Sequence, residues 1–279
     1  MAISTLCARV LTTAVLVSLP LASNAATRIP FAPATTSSTC DYSGFALGSA
    51  LTPFAMLAAT TITNVGNSVV APSSARQAND LIGVWPGTAV TGFYPPGLDA
   101  GGQNAIYASN FNTNRGVPQA AQGALLKAYN GAAALRPTAL VSGDLSQAKV
   151  PGYPMGTLPP GIYKSATTLA ITAGNLTLVR GSLVTPPVWI FQVGTSLTTS
   201  ADAGLAGNVI LGKNVQACNV FWQLGDSATI GGQSFSGDIA AYSSITLAGE
   251  YFTGRAMALN GAVTITSGGG TLLTNGGGR

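Results

Sequence analysis

A short repeat near the C-terminus constrains the fold of this chain more than any other feature. The three copies occupy residues 220–232, 239–249 and 256–268. Each contains a hydroxyl-rich core, SATI, SITL and AVTI in turn, whose threonines Thr229, Thr246 and Thr264 are 17 and then 18 residues apart. A β-type repeat at near-constant spacing is typical of a solenoid, in which each copy forms one coil stacked on the next. One threonine per coil then becomes a row of threonines in space.

The aligned cores also predict which side chains face the solenoid interior, because side chains alternate between the two sides of a strand. Two aligned columns are apolar in every copy: Ala228, Ile245 and Val263, and then Ile230, Leu247 and Ile265. We expect both columns to face inward. The threonine between them must therefore face outward.

The same register extends to two earlier segments, FAMLAATTITNVGNSVV and VWIFQVGTSLTTSADAG. In the first, Thr61 and Thr63 flank an inward isoleucine, and in the second Thr198 aligns with Thr229. The predicted outward face carries ten hydroxyl-bearing candidate residues: Thr61, Thr63, Thr198, Ser200, Ser227, Thr229, Ser244, Thr246, Thr264 and Thr266. No Lys, Arg, Asp or Glu occupies an outward position in these cores.

Two interpretations of this face are open. In the structural one, β-branched threonine suits strands, and cross-strand threonine pairs stabilise a sheet by about 0.2–1 kcal/mol each. However, an exposed sheet normally carries charged side chains that keep it soluble and unpaired. Only 7% of this chain is charged, against roughly 25% in an average soluble domain. In the functional interpretation the face orders water, because threonine is short, restricted at χ1 and loses little entropy on binding.

The remaining sequence is organised around this domain. Residues 1–25 are typical of a secretory signal peptide, with Arg9, an apolar run and small residues before cleavage near Ala25. A transmembrane anchor is the less favoured interpretation, because the run is short and Pro20 interrupts it. We expect an irregular segment at 26–43, the solenoid domain at 44–267 and a glycine-rich tail at 268–279.

The segment 117–135 is the best helix candidate, and a frayed alanine-rich loop is its alternative. Pro118 suits a first turn, and Arg136-Pro137 ends the pattern. Its expected apolar stripe comprises Ala120, Ala124, Leu125, Ala128 and Leu135. The preceding residues 97–117 are compatible with a helix start, a loop or a small cap, and the sequence does not decide between them.

The two cysteines beyond the signal peptide, Cys40 and Cys218, admit two interpretations. In an oxidising compartment they would form a disulfide between the N-terminal segment and a late coil. The alternative is a pair of buried free thiols.

Several classes of chemistry lack their usual residues. The chain has no histidine, which excludes the usual general base and His-containing catalytic arrangements. Asp226, Asp238 and Glu250 recur every 12 residues, out of step with the coil. We therefore expect them to be solvated turn residues and not a carboxylate cluster of a β-helix enzyme. The 12 basic residues are scattered and do not indicate nucleic-acid or membrane binding.

Eight stretches carry a resemblance to a known family. They are FAMLAATTITNVG, GVWPGTAVTGFYPPG, LLKAYNGAAALRP, LPPGIYKSATTLAITAGNLTL, VWIFQVGTSLTTSA, ACNVFWQLGDSATIG, FSGDIAAYSSITL and GRAMALNGAVTI. Over about residues 44–266 the chain resembles the secreted ice-binding proteins of the DUF3494 type. No single stretch is specific, but the set is.

The resemblance implies an all-β-dominated fold, a right-handed discontinuous β-solenoid of triangular section with one long α-helix packed alongside. It also implies a secreted, non-enzymatic, monomeric protein, extracellular or periplasmic. Such a protein adsorbs to ice and its ordered water through a flat Thr/Ser/Ala-rich face, producing thermal hysteresis and inhibiting ice recrystallisation. We expect no cofactor, metal, nucleic acid or membrane. The alternative is a structural or adhesive extracellular or cell-surface module without ice activity.

Overall fold

The fold is seen in a computed structural model that describes residues 42, 44–65, 68–71, 81–93, 106–109, 111, 113–181, 187–200, 206–266 and 272–274. The predicted signal peptide at 1–25, nearly all of the segment 26–43, and Cys40 lie outside these residues. In the described residues, short strands alternate with tight turns, and one long helix interrupts them.

The elements before the central helix are β1 (Phe54–Ala58), β2 (Thr61–Asn64), β3 (Val69–Ala71), β4 (Leu81–Val84), β5 (Ala89–Thr91) and β6 (Ile106–Tyr107). Then come the helix α1 (Gly116–Ala134), β7 (Ala139–Leu140), β8 (Gly143–Asp144), β9 (Thr157–Leu158), β10 (Gly161–Ser165), β11 (Leu169–Ile171), β12 (Leu176–Leu178), β13 (Trp189–Val193), β14 (Leu197–Thr199) and β15 (Val209–Leu211). The last strands are β16 (Val220–Leu224), β17 (Ala228–Ile230), β18 (Ser234–Ser236), β19 (Asp238–Ala241), β20 (Ile245–Leu247), β21 (Tyr251–Thr253), β22 (Ala256–Ala258), β23 (Val263–Ile265) and β24 (Leu272–Thr274). Short 3-10 helices span Leu145–Gln147 and Ala217–Asn219.

The strands form parallel sheets on three sides of a β-solenoid. The first side is a nine-stranded sheet of order β6-β4-β1-β22-β19-β16-β13-β10-β7, called here the helix face. The second is an eight-stranded sheet of order β5-β2-β23-β20-β17-β14-β11-β8, called the threonine face. The third side holds two smaller sheets, β15-β12-β9 and β18-β21-β24-β3. The predicted solenoid is thereby confirmed.

The stacking order of the coils does not follow the chain. The early coil β1-β2-β3 pairs strand for strand with the last coil, β22-β23-β24, and β4 and β5 extend the stack beyond it. The segment 54–71 is therefore an early coil, as predicted, and the solenoid is discontinuous. β24 lies within the expected glycine-rich tail at 268–279, so the last coil reaches Thr274.

The solenoid interior is apolar and contains an aromatic stack. The predicted inward columns, represented by Val263 and Ile265, are at most 2% exposed. The rings of Tyr163 and Phe191 stack at 5.4 Å between centroids, and those of Phe191 and Trp222 stack at 4.0 Å. Stacking along successive coils follows from the parallel register, because equivalent side chains of neighbouring strands face each other.

α1 packs against the helix face and begins and ends within one residue of the predicted helix. Its buried residues are Pro118, Ala121, Leu125, Ala128 and Ala132. They pack on a second apolar cluster that includes Leu57, Phe221 and Met257 of the sheet. Ala120, predicted to lie in the stripe, is instead exposed. The other predicted positions agree with the structure: Leu125 and Ala128 are buried, and Ala124 and Leu135 are partly buried against the same cluster.

The helix end is held by a side chain of the sheet. Gln192 of β13 donates through Nε2 to the carbonyl oxygens of Ala132 at 2.7 Å and Leu135 at 2.8 Å. A helix C-terminus leaves its last carbonyl groups without i+4 partners, and among the described residues Ala132 O otherwise accepts only from Leu135 N at 3.3 Å. The bonds therefore fix α1 relative to the stack.

One carboxylate predicted to be a solvated turn residue is buried. Asp238 of β19 has no exposed surface, and its Oδ2 accepts from Arg255 Nη1 at 2.7 Å and from the Tyr42 hydroxyl at 2.7 Å. Burial, and then the charge of Asp238, raise the pKa of Tyr42, so this hydroxyl remains a donor. The prediction was wrong here because Tyr42 and Arg255 converge on this carboxylate and cover it. Asp226 is exposed at a turn, as predicted, and Glu250 is partly exposed.

The predicted disulfide is described from one side only. Cys218 is disulfide-bonded and fully buried. Since Cys40 lies outside the described residues, the pairing of these two cysteines stays a prediction. Within the described residues no helix is long and apolar enough to cross a membrane.

Candidate functional site

A single column of threonines runs down the middle of the threonine face. Strand pairing places each member directly beside the next in the neighbouring strand. In stacking order the members are Thr91, Thr63, Thr264, Thr246, Thr229 and Thr198. Neighbouring strands lie about 4.8 Å apart, so six threonines form a row about 24 Å long. We call this row the central column.

All ten predicted candidate residues lie on this face. Five of them, Thr63, Thr198, Thr229, Thr246 and Thr264, belong to the central column. The other five lie two residues away from a central threonine along the chain. Thr61, Ser227 and Ser244 precede one, and Ser200 and Thr266 follow one. Because side chains alternate along a strand, these five form the flanking columns on the same face. The side chains of all ten candidates are exposed or partly exposed, which agrees with an outward position.

Thr91 was missed by the sequence analysis. It lies in β5, directly opposite Thr63, and its hydroxyl donates to that of Thr63 at 3.4 Å. The surrounding residues 84–97 are rich in glycine and proline, which is typical of turns. The available signal was the alternation of Ala89, Val90 and Thr91, in which only Val90 is buried. This is the same pattern that identified β2.

The hydroxyls of the central column have few hydrogen-bond partners in the part of the chain that the structure describes. Those of Thr198, Thr229, Thr246 and Thr264 have no hydrogen-bond partner among the described residues. In contrast, the inward Thr199 is buried, and its hydroxyl donates to Gly231 O at 3.0 Å and accepts from Gly231 N at 2.7 Å. A hydroxyl without a protein partner offers one donor and two acceptor positions to water. The outward threonines therefore present a repeated array of such positions.

The array has a fixed backing. The pairings of the threonine face show no register shift, and the inward side chains beneath it are apolar and almost fully buried. Threonine itself is restricted at χ1 by its branched Cβ. Close packing on the inner side and a stiff side chain on the outer side keep the spacing of hydroxyls and methyls regular.

Charged groups lie at the margins of the face. Asp226 lies in the turn before β17, where its carboxylate accepts from the Ser196 hydroxyl at 3.3 Å and the Ser227 hydroxyl at 3.1 Å. Hydrogen bonds, that of Ser243 above all, lower the pKa of Asp226. Asp144 pairs with Ala170 at the far end of the central column. The six strands that carry the central threonines have no charged residue at an outward position.

Asp144 is held firmly at that end. It accepts from the Ser146 hydroxyl at 2.7 Å, the Thr172 hydroxyl at 2.7 Å and Ala173 N at 2.8 Å. Desolvation opposes ionisation, but these hydrogen bonds outweigh it and lower the pKa of Asp144 to about 2. Beyond Thr198 and Ala170, the threonine face therefore ends at a carboxylate that is ionised at neutral pH.

The other two sides differ from the threonine face. α1 covers much of the helix face. The third side is divided between two sheets, and its outward residues are mixed, including the exposed Ile210 and Tyr251. Among the described residues, the threonine face is the one broad sheet that is both repetitive and uncovered. The described residues include no group of three or more His, Cys, Asp or Glu that would hold a metal ion.

Known proteins share both this sequence pattern and this architecture. The family model described as ice-binding-like matches residues 56–269. The chain belongs to the ice-binding-like family. An ice-binding protein from a Nostoc species is 37% identical over 216 residues, which are 76% of this chain and 68% of that protein.

Solved structures of ice-binding proteins support the same assignment. One from an Antarctic biological consortium superposes with a TM-score of 0.63 at 29% identity, covering 89% of this chain and 96% of that one. The corresponding domain of a Shewanella frigidimarina ice-binding protein has a TM-score of 0.65 at 24% identity, covering 82% and 96%. The second likeness bears on the fold alone. Together they agree with the solenoid architecture described above for this ice-binding-like chain.

Proposed function

We propose that this ice-binding-like protein is secreted, is not an enzyme, and adsorbs to ice through its threonine face. The observation that carries the proposal is the central column of six threonines in adjacent strands, four of whose hydroxyls have no hydrogen-bond partner among the described residues. A role in sheet stability alone does not require these hydroxyls to stay unpaired, uncovered and free of neighbouring charge.

The proposed mechanism rests on water held in a regular array. Each outward threonine presents a hydroxyl that both donates and accepts, beside a methyl group that does neither. At a repeat of about 4.8 Å per coil, this alternation positions surface waters at regular intervals. The restricted side chains lose little rotamer entropy when that water joins a crystal lattice. Charged groups, which orient water around themselves, remain at the margins.

Adsorption explains the expected effects on ice. Protein molecules fixed to a crystal surface force the growing front to curve between them, which lowers the local freezing point and produces thermal hysteresis. The same adsorption slows recrystallisation, because boundaries between small crystals can no longer advance freely. We assign the contact to the central column with Thr91 included, and we assign supporting contacts to the flanking residues Thr61, Ser200, Ser227, Ser244 and Thr266.

Export to an oxidising compartment is part of the proposal. It is supported by the signal-peptide pattern of residues 1–25 and by the disulfide at Cys218, since disulfides persist mainly outside the cytosol. Mass spectrometry of culture medium and of periplasmic extract tests this directly. A mature N-terminus near residue 26 is the expected result, and a full-length cytosolic protein would contradict it.

Thermal hysteresis and recrystallisation assays on the mature protein test the proposed activity. We expect micromolar protein to shape single ice crystals and to hold grain size constant in frozen sucrose. Absence of both effects at that concentration would overturn the proposal. A structural or adhesive module would then be the remaining explanation.

A further inference from the structure

A groove lies beside α1, at the corner where the helix face turns into the threonine face. Three coils contribute to it through the turns between β4 and β5, β19 and β20, and β22 and β23, and the exposed surface of α1 forms its opposite wall. Its volume is about 520 Å³, within the range of roughly 300–1,000 Å³ that is usual for small-molecule sites. The groove is separate from the central column of threonines.

Aromatic rings line the groove. Trp85, Tyr129 and Tyr242 contribute to its walls, and the rings of Tyr129 and Tyr242 lie 6.4 Å apart between centroids. Tyr242 is 52% exposed and Leu126, on the helix side, is 50% exposed. Exposed aromatic faces of this kind pack against flat apolar surfaces and retain a polar edge for hydrogen bonding.

The polar lining consists of neutral carboxamides. Gln119, Gln122, Asn130 and Asn260 line the groove, and among the described residues no charged side chain does so. Each carboxamide has an acceptor oxygen and two donor hydrogens. The lining therefore matches a neutral ligand rich in hydroxyl groups better than an anion or a cation.

Several lining side chains are already fixed by bonds behind the groove. The Tyr129 hydroxyl donates to Leu224 O at 3.1 Å, and Gln122 Nε2 donates to Ala258 O at 3.2 Å. Asn260 Nδ2 donates to Tyr242 O at 3.0 Å. A site whose side chains are already positioned loses less entropy when a ligand binds.

We propose that this groove binds a neutral oligosaccharide. The ring of Tyr242 stacks on the C–H face of a sugar ring, and the carboxamides of Gln119, Asn130 and Asn260 bond to its hydroxyls. Both contacts are needed, since a sugar ring has an apolar face and a polar edge. The site would attach the protein to a neutral extracellular glycan through a surface other than the threonine face.

Calorimetric titration of the full chain with defined hexasaccharides provides the test. The probes are the neutral hexamers of glucose, mannose and N-acetylglucosamine, with hexagalacturonate as the acidic counterpart. We expect at least one neutral hexamer to bind with a Kd on the order of 0.1–1 mM, because an open groove with few stacking contacts gives weak affinity. The acidic hexamer should not bind.

Two tyrosines of one coil supply a matched pair of variants. Tyr242 lies in the groove, while Tyr251 lies on the third side and is 54% exposed, almost the same as Tyr242. Tyr242→Ala should weaken binding at least about tenfold, and Tyr251→Ala should leave it unchanged. Gln119→Ala, at an exposed helix position where alanine is favourable, should weaken binding about fivefold through loss of one hydrogen bond.

The results separate this proposal from the ice-binding one. Failure of every neutral hexamer to bind at millimolar concentration would overturn it, as would equal binding of the acidic hexamer or equal losses in the two tyrosine variants. Thermal hysteresis of Tyr242→Ala serves as the folding control. We expect it to match the wild-type protein, because the threonine face remains intact.

Discussion

Thr63 and Thr264 lie side by side in the central column, although one belongs to the first described coil and the other to the last. Their strands, β2 and β23, are parallel neighbours, with Ile62 opposite Val263 beneath them. The column is therefore continuous only because an early coil and a late coil fold into one stack. The binding surface that we propose depends on this long-range pairing.

Ile265→Ala tests that dependence. Ile265 is fully buried in β23 and lies opposite Asn64 of β2 and Leu247 of β20. We expect the cavity to lower the free energy of unfolding by about 2–5 kcal/mol. Hydrogen exchange should show an equal loss of protection in β2 and β23, because they unfold together. Loss of protection in β23 alone would contradict a single stack.

Asp238→Asn tests the buried ion pair between Asp238 and Arg255. The substitution leaves the Arg255 charge without its carboxylate partner inside the protein, which should cost about 3–5 kcal/mol in unfolding free energy. Urea denaturation measures this loss. Asp226→Asn is the control, because Asp226 is exposed and its substitution should leave stability nearly unchanged. Similar values for both variants would show that the ion pair does not stabilise the fold.

The lowered pKa of Asp144 predicts how the stability of the protein depends on pH. Hydrogen bonds lower its pKa from 3.8 to about 2 in the folded state. Because the folded pKa lies below the unfolded one, the stabilisation is complete above about pH 4 and is lost as pH falls towards about 2. We expect about 1 kcal/mol from this partly exposed group after solvent screening. Asp144→Asn should be less stable than the wild-type protein near about pH 6 and nearly equal to it near about pH 2. An equal difference at both pH values would contradict this role.

Thr91→Tyr tests the member of the column that the sequence analysis missed. Thr91 ends the column, so a bulky ring there should obstruct one end of the ice contact and leave the remainder available. We expect thermal hysteresis between that of the wild-type protein and that of a centrally substituted variant. Wild-type hysteresis would place Thr91 outside the contact.

The sequence repeat was sufficient to predict the local register. Short cores with one alternation pattern identified the outward positions of β14, β17, β20 and β23, and of β2 at the other end of the chain. Local alternation carries this information because side-chain direction depends only on position along a strand. The helix was recognised for a similar reason, although Ala120 of the expected stripe is exposed and Ala121 is buried.

Long-range features were less accessible from the residues. The adjacency of Thr63 and Thr264 depends on which coils stack, and coil order follows from the resemblance to a family and not from alternation. Asp238 was assigned to solvent because nothing local indicates that Tyr42 and Arg255 converge on it. Thr91 was overlooked because glycine and proline on both sides of β5 obscured a strand of three residues.

The most direct test compares two threonines in identical strand positions. Thr246 lies at the centre of Ile245–Leu247 on the threonine face, and Thr177 lies at the centre of Leu176–Leu178 on the third side, with the same burial pattern. Thermal hysteresis should be measured for Thr246→Tyr and Thr177→Tyr, with circular dichroism confirming that both fold. We expect Thr246→Tyr to lose most of the hysteresis and Thr177→Tyr to retain the wild-type value. Equal activity of the two variants, or a loss confined to Thr177→Tyr, would contradict the assignment of ice binding to the threonine face.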